Sequence, residues 1–87
     1  MTPRIRIADA GNVTVPAYLA LKQKGFNVRW ERSLTDPKEE TWYAEQANMN
    51  FTADDPVTLL GLVAIYETRG DDWKASDEEI ENFLKNY

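Results

Sequence analysis

Apolar and polar positions along the chain divide it into short elements of two periods. Ile5 and Ile7 alternate with Arg4 and Arg6, the period-2 signature of a strand with one face buried and one wet. Asp9-Ala10-Gly11-Asn12 follows and predicts a turn, because Gly and Asn tolerate positive φ. Thr14-Val15-Pro16 then opens a helix, with Thr14 as the expected cap and Pro16 in a first turn that needs no backbone donor. Ala17, Tyr18, Ala20 and Leu21 supply its buried stripe, Lys22 and Lys24 complement the dipole in its last turn, and Gly25 ends it.

Phe26, Val28 and Trp30 alternate with Asn27, Arg29 and Glu31, the clearest strand in the chain, and Trp30 reads as a core position. A polar loop from Ser33 to Glu40, containing Asp36-Pro37, leads to a second run in which Trp42, Ala44 and Gln46 alternate with Tyr43, Glu45 and Ala47. Each of those two sets contains an aromatic residue, so alternation leaves open which face of the strand is buried. Asn48 marks a tight turn into Met49, Phe51 and Ala53, completing an antiparallel meander.

Asp54-Asp55-Pro56 is a helix start with a carboxylate cap and an early proline. Val57, Leu59, Leu60, Leu62, Val63, Ile65 and Tyr66 cover more than half of the following helix, which predicts a central buried element ending at Arg69-Gly70. Gly61 in its interior predicts close approach of another element. Trp73 is expected to close the gap to the last helix. Ser76-Asp77-Glu78-Glu79 forms a capping box, and Ile80, Phe83, Leu84 and Tyr87 follow at the spacing of an amphipathic helix.

The order β-α-β-β-β-α-α predicts an α+β fold in a single layer, a four-stranded mixed sheet with helices packed on one face. A right-handed crossover through the first helix would make the first two strands parallel. The open face would then carry Arg4, Arg6, Asn27, Arg29, Tyr43, Glu45, Asn50 and Thr52. With 87 residues there is room for one core, so residues 1–87 read as a single domain.

Composition narrows the chemistry. The chain has neither cysteine nor histidine, which removes thiolate sites, disulfides, the commonest zinc ligand and the commonest neutral-pH base. No apolar run approaches a membrane span, and Met1-Thr2-Pro3-Arg4 lacks the apolar core of a signal peptide, so a cytoplasmic location is expected. The net charge of −5 is uneven: residues 1–32 hold six basic groups against two acids, and the remainder four against thirteen. Such asymmetry can mark a charged interface, and it also arises in small acidic proteins without a partner.

None of the candidate motifs designates a catalytic, cofactor-binding or metal-binding residue. The turn at Asp9 has one glycine where a dinucleotide loop needs three. The doublets Asp54-Asp55 and Asp71-Asp72, with Asp77, Glu78 and Glu79, each have a local role in a cap or turn and lack calcium-loop spacing. Three tryptophans beside the arginines invite a base-stacking reading that the overall acidity opposes.

The stretch from Asn50 to Leu62, Asn50-Phe51-Thr52-Ala53-Asp54-Asp55-Pro56-Val57-Thr58-Leu59-Leu60-Gly61-Leu62, with Arg69-Gly70 and Trp73 after it, resembles a family of small bacterial domains of unknown function, with cyanobacteria a candidate source. The resemblance covers about the last half of the chain, implies no activity and transfers no functional residue. The favoured reading is a non-catalytic protein–protein interaction module, with another protein or a second copy as partner. Arg4, Arg6, Arg29 and Tyr43 are its candidate contact residues, since arginine grips carboxylates in a planar, bidentate way. A small metabolite-binding protein or enzyme using surface carboxylates stays open as the alternative, and a nucleic-acid-binding domain as the third.

Overall fold

The computed structural model describes residues 4–9, 11–36 and 39–87. Its elements are α1 (Thr14–Gln23), β1 (Asn27–Arg32), β2 (Glu40–Gln46), β3 (Met49–Ala53), α2 (Pro56–Arg69) and α3 (Asp77–Asn86). The fold is α+β, but the sheet among the described residues is three-stranded and wholly antiparallel, in the order β1-β2-β3. The expected four-stranded mixed sheet and its parallel crossover are therefore corrected. Residues 4–9 form no strand, and Ile5 and Ile7 are 71% and 82% exposed. An alternation over four residues fits any extended segment; it specifies a strand only where a neighbouring edge pairs with it. Ala10 of the expected turn and Pro37 of the expected loop lie outside the described residues.

Helix α1 starts one residue away from its expected cap: Val13 occupies that position without a side-chain hydrogen bond, and Thr14 is already helical. Its end follows the expected plan. Gly25 adopts φ +91°, its amide donates to the Lys22 carbonyl at 3.0 Å, and the Phe26 amide donates to that of Leu21 at 3.1 Å. This pair of bonds is the Schellman arrangement, and its accompanying apolar contact joins Leu21 to Phe26 in the core.

Cross-strand registry decides which face of the sheet is buried. Val28 opposes Ala44, which opposes Phe51, and Trp30 opposes Trp42, which opposes Ala53. These residues share the inward face, so Trp42 points in and Tyr43 out. Ala44 is fully buried at the centre, where its small side chain lets Leu21, Phe26, Leu59 and Val63 close over the sheet. Phe51 meets Phe26 edge-on at 5.8 Å and Tyr66 at 5.9 Å. Trp30 belongs to the same face but is 48% exposed. The expectation of a core position fails because β1 is an edge strand and the helices cover the centre of the sheet; Trp30 instead stacks on Trp42 at 6.1 Å.

The hairpin between β2 and β3 turns through Ala47 and Asn48, and Ala47 carries φ +51°. Asp55 caps α2, accepting from the Thr58 amide at 2.8 Å and the Thr58 hydroxyl at 2.9 Å. The Thr58 amide is the main cause that holds the Asp55 carboxyl below its ordinary pKa, with burial acting against it. In α2 the buried residues are Pro56, Leu59 and Val63. The helix is central to the core as expected, but Val57 and Ile65 of its expected apolar surface are exposed.

Gly61 does not mark a close approach: a Cβ placed there meets nothing within 4 Å. The substitution Gly61→Ala is expected to raise stability by about 1 kcal/mol, because Ala restricts the unfolded chain and fills open space in the helix. Urea titration measures this, and a destabilised variant would show that α2 is approached at that point in solution.

Candidate functional site

On the open face of the sheet, Arg29 opposes Tyr43, which opposes Thr52, and Asn27, Glu45 and Asn50 align beside them. Arg29 is held from three sides. Its Nε donates to Glu45 Oε1 at 2.9 Å, its Nη1 to Glu31 Oε1 at 2.7 Å, and its guanidinium lies 4.0 Å from the Tyr43 ring centroid. The bond to Glu45 is the largest influence raising the Arg29 pKa; desolvation opposes it and the bond to Glu31 adds to it. Tyr43 and Arg29, two of the expected contact residues, are thus brought together. Arg4 and Arg6 are not on the sheet, since the strand that would have put them there is absent. The expected cluster of three arginines reduces to one, its charge matched by two carboxylates.

A second feature, which sequence reasoning treated as packing, lies at the other end of the chain. The capping box of α3 is present: the Glu79 amide donates to Ser76 Oγ at 3.1 Å and the Ser76 amide to Glu79 Oε1 at 2.8 Å. Arg69, at the end of α2, ties this turn down. Its Nε donates to the Trp73 carbonyl at 2.9 Å and its Nη2 to Glu79 Oε1 at 3.1 Å. The Ser76 amide first, and Arg69 next, hold the Glu79 carboxyl below its ordinary pKa. Beyond that first turn α3 buries no residue. Its apolar stripe faces outward: Ile80 is 45% exposed, Phe83 60%, Leu84 67% and Tyr87 93%. Phe83 and Tyr87 stack on each other at 5.1 Å.

Replacement of Ser76 by Ala is expected to cost α3 about 1 kcal/mol, because the Glu79 amide loses its acceptor, Ser76 Oγ. Since α3 supports none of the core, the loss shows as faster amide exchange within α3 while the global melting transition stays in place. Unchanged exchange in α3 would refute the cap.

Trp73 does not fill a gap between α2 and α3. It stands 49% exposed over a cleft of about 290 Å³ shared with Phe51, Leu62, Ile65 and Tyr66. A second groove, of about 430 Å³, runs beside β1 between Val28, Trp30 and Trp42 on the sheet and Val15 and Tyr18 on α1. Both are lined mainly by apolar side chains. Glu39, Glu40 and Asp54 border a third cleft, where Glu40 accepts from Trp42 Nε1 at 3.3 Å and pairs with Arg32 at 3.7 Å. Among the described residues, no three acidic side chains gather closely enough to hold a metal ion. Asp55 serves its cap, Asp71 and Asp72 lie between α2 and α3, and Asp77 and Glu78 begin α3. Among the described residues no helix is long and apolar enough to cross a membrane.

Comparison with protein-family models, with curated proteins and with solved structures returns no match.

Proposed function

We propose that this chain is a cytoplasmic, non-catalytic protein–protein interaction module that presents the apolar face of α3 to its partner. The outward stripe of Ile80, Phe83, Leu84 and Tyr87 carries the reading. A helix of 10 residues is marginal in water without tertiary packing. This one has a capping box and an Arg69–Glu79 ion pair in its first turn, and its apolar side is left largely exposed, with no residue buried. An amphipathic helix that anchors to a partner through positions i, i+3, i+4 and i+7 has this form. Around this stripe α3 is mainly acidic, with Asp77, Glu78 and Glu81 against Lys85, which favours a partner groove with a basic rim. On the open sheet face the guanidinium of Arg29 is matched by Glu31 and Glu45; that balance favours protein over nucleic acid, where unpaired cations provide the affinity.

The double substitution Phe83→Ser with Leu84→Ser tests the reading. Both residues are exposed, so the melting temperature is expected to stay within about 4 °C of the parent, while a protein captured from native-host lysate by the parent is no longer captured by the variant. Identical capture by the two chains would sink the α3 reading, and a much larger fall in melting temperature would show that the stripe is part of the core. A rise of several degrees with a metabolite or with Mg²⁺ would favour the rival class, a ligand-binding protein or enzyme, because a ligand that binds only the folded state stabilises it.

A further inference from the structure

We infer that the outer edge of β1 pairs with β1 of a second copy of this chain, across a two-fold axis at Trp30, to make one continuous antiparallel sheet of six strands. The inference rests on the reading of the chain as an interaction module but not on α3. β1 ends the sheet order, so one side of its backbone is unpaired among the described residues, and such an edge is a template for another strand. Beside it lies the groove formed by Val15, Tyr18, Val28, Trp30 and Trp42. Val15 is 63% and Trp30 48% exposed, so apolar surface borders the unpaired backbone.

The charges of β1 complement one another when the axis lies at Trp30. Opposed residues in an antiparallel pair point to the same side of the sheet. A two-fold axis perpendicular to the sheet therefore sets inward residues against inward ones. With the axis at Trp30, Trp30 faces its own copy, Arg29 faces Glu31 of the second chain, Glu31 faces its Arg29, and Val28 faces its Arg32. Glu31, whose side chain is 62% exposed, then lies between its own Arg29 and that of the second chain, so the charges alternate around the axis. Moving the axis to Arg29 sets two arginines face to face, and moving it to Glu31 sets two glutamates face to face; like charges directly opposed are destabilising. The charged residues of β1 thus repel the neighbouring registers and admit this one, which is how an edge can be selective rather than aggregation-prone. β3, the other edge, has the uncharged sequence Met49-Asn50-Phe51-Thr52-Ala53 and nothing comparable to fix a register.

Charge exchange tests the register. Parent chain at about 100 μM is expected to scatter light as a dimer, at twice the 10.0 kDa chain mass. Arg29→Glu alone and Glu31→Arg alone should each associate at least about 10-fold more weakly, while an equimolar mixture of the two recovers the dimer, because an acidic strand then opposes a basic one. A parent that is monomeric at this concentration, or single variants that dimerise like the parent, would overturn the inference. If Arg29→Glu fails to fold, a single cysteine gives an independent measurement in a chain that has none. Trp30→Cys brings two Cα atoms to about 4.5–5.5 Å across the axis, within the range a disulfide spans. Rapid oxidation to a covalent dimer is expected for Trp30→Cys and not for Thr52→Cys on the other edge. Equal cross-linking at both sites, or none at Cys in place of Trp30, would refute the pairing. The α3 double variant separates the two proposals: it should remain dimeric, and loss of the dimer there would assign self-association to α3 and overturn the edge pairing.

Discussion

Replacing Leu59 with Ala is expected to lower the free energy of unfolding by about 3–4 kcal/mol. Leu59 is fully buried in the first half of α2 and belongs to the cluster with Leu21, Phe26, Ala44 and Val63. Truncation removes its transfer free energy and leaves a cavity. The surrounding groups cannot readily close that cavity, since Ala44 belongs to the central strand and Leu21 and Phe26 are tied by the Schellman bonds. Against a total stability of about 4–13 kcal/mol for a domain of this length, the loss is a large share. The denaturant midpoint should fall with the slope of the transition unchanged. The same substitution at Leu60, half-buried at the border of the core, should cost less. A loss at Leu59 of under about 1 kcal/mol would show that α2 does not form the core contact described.

Gly25→Ala is expected to cost about 2 kcal/mol, from two sources acting together. The backbone stands at φ +91°, where a Cβ crowds the following carbonyl. The added Cβ would also lie 2.7 Å from Gln46 Nε2. Gln46 can swing aside only by giving up its 3.0 Å bond to the Lys24 carbonyl, one of the last carbonyls of α1 and without a helical partner. Gly25→Ala in combination with Gln46→Ala separates the two: the clash disappears with the Gln46 side chain and the backbone strain remains. If Gly25→Ala alone is neutral to chemical denaturation, the turn from α1 into β1 does not require positive φ.

Most of the local structure was legible because its causes are local. The Asp55 cap, the Ser76–Glu79 box, the glycine after α1 and the alternation of β1 each depend on residues within a few positions of one another, and each is present. The strand at Ile5 and the close approach at Gly61 are not formed, because both inferences concern a neighbour distant in sequence. Ile5 and Ile7 have the pattern of a strand but no described partner edge, and Gly61 faces open space. The candidate contact residues divide in the same way. Arg29 and Tyr43 meet because the register of β1 on β2 sets them opposite each other on the open face. Arg4 and Arg6 depended on a strand pairing that did not form.

Sequence alone determined the α+β class, the outline of the six secondary-structure elements present, the charge imbalance and the amphipathic form of the last helix. These follow from period, capping chemistry and composition, which act over a few residues. Tertiary structure alone decided three other things. It chose Trp42 over Tyr43 for the interior, because Ala44 had to oppose both Val28 and Phe51 at the centre of the core. It left Trp30 half in solvent, because nothing pairs beyond β1 among the described residues. It turned the apolar stripe of α3 outward, because α1 and α2 close the central cluster over the inner face of the sheet and α3 contributes no residue to that cluster.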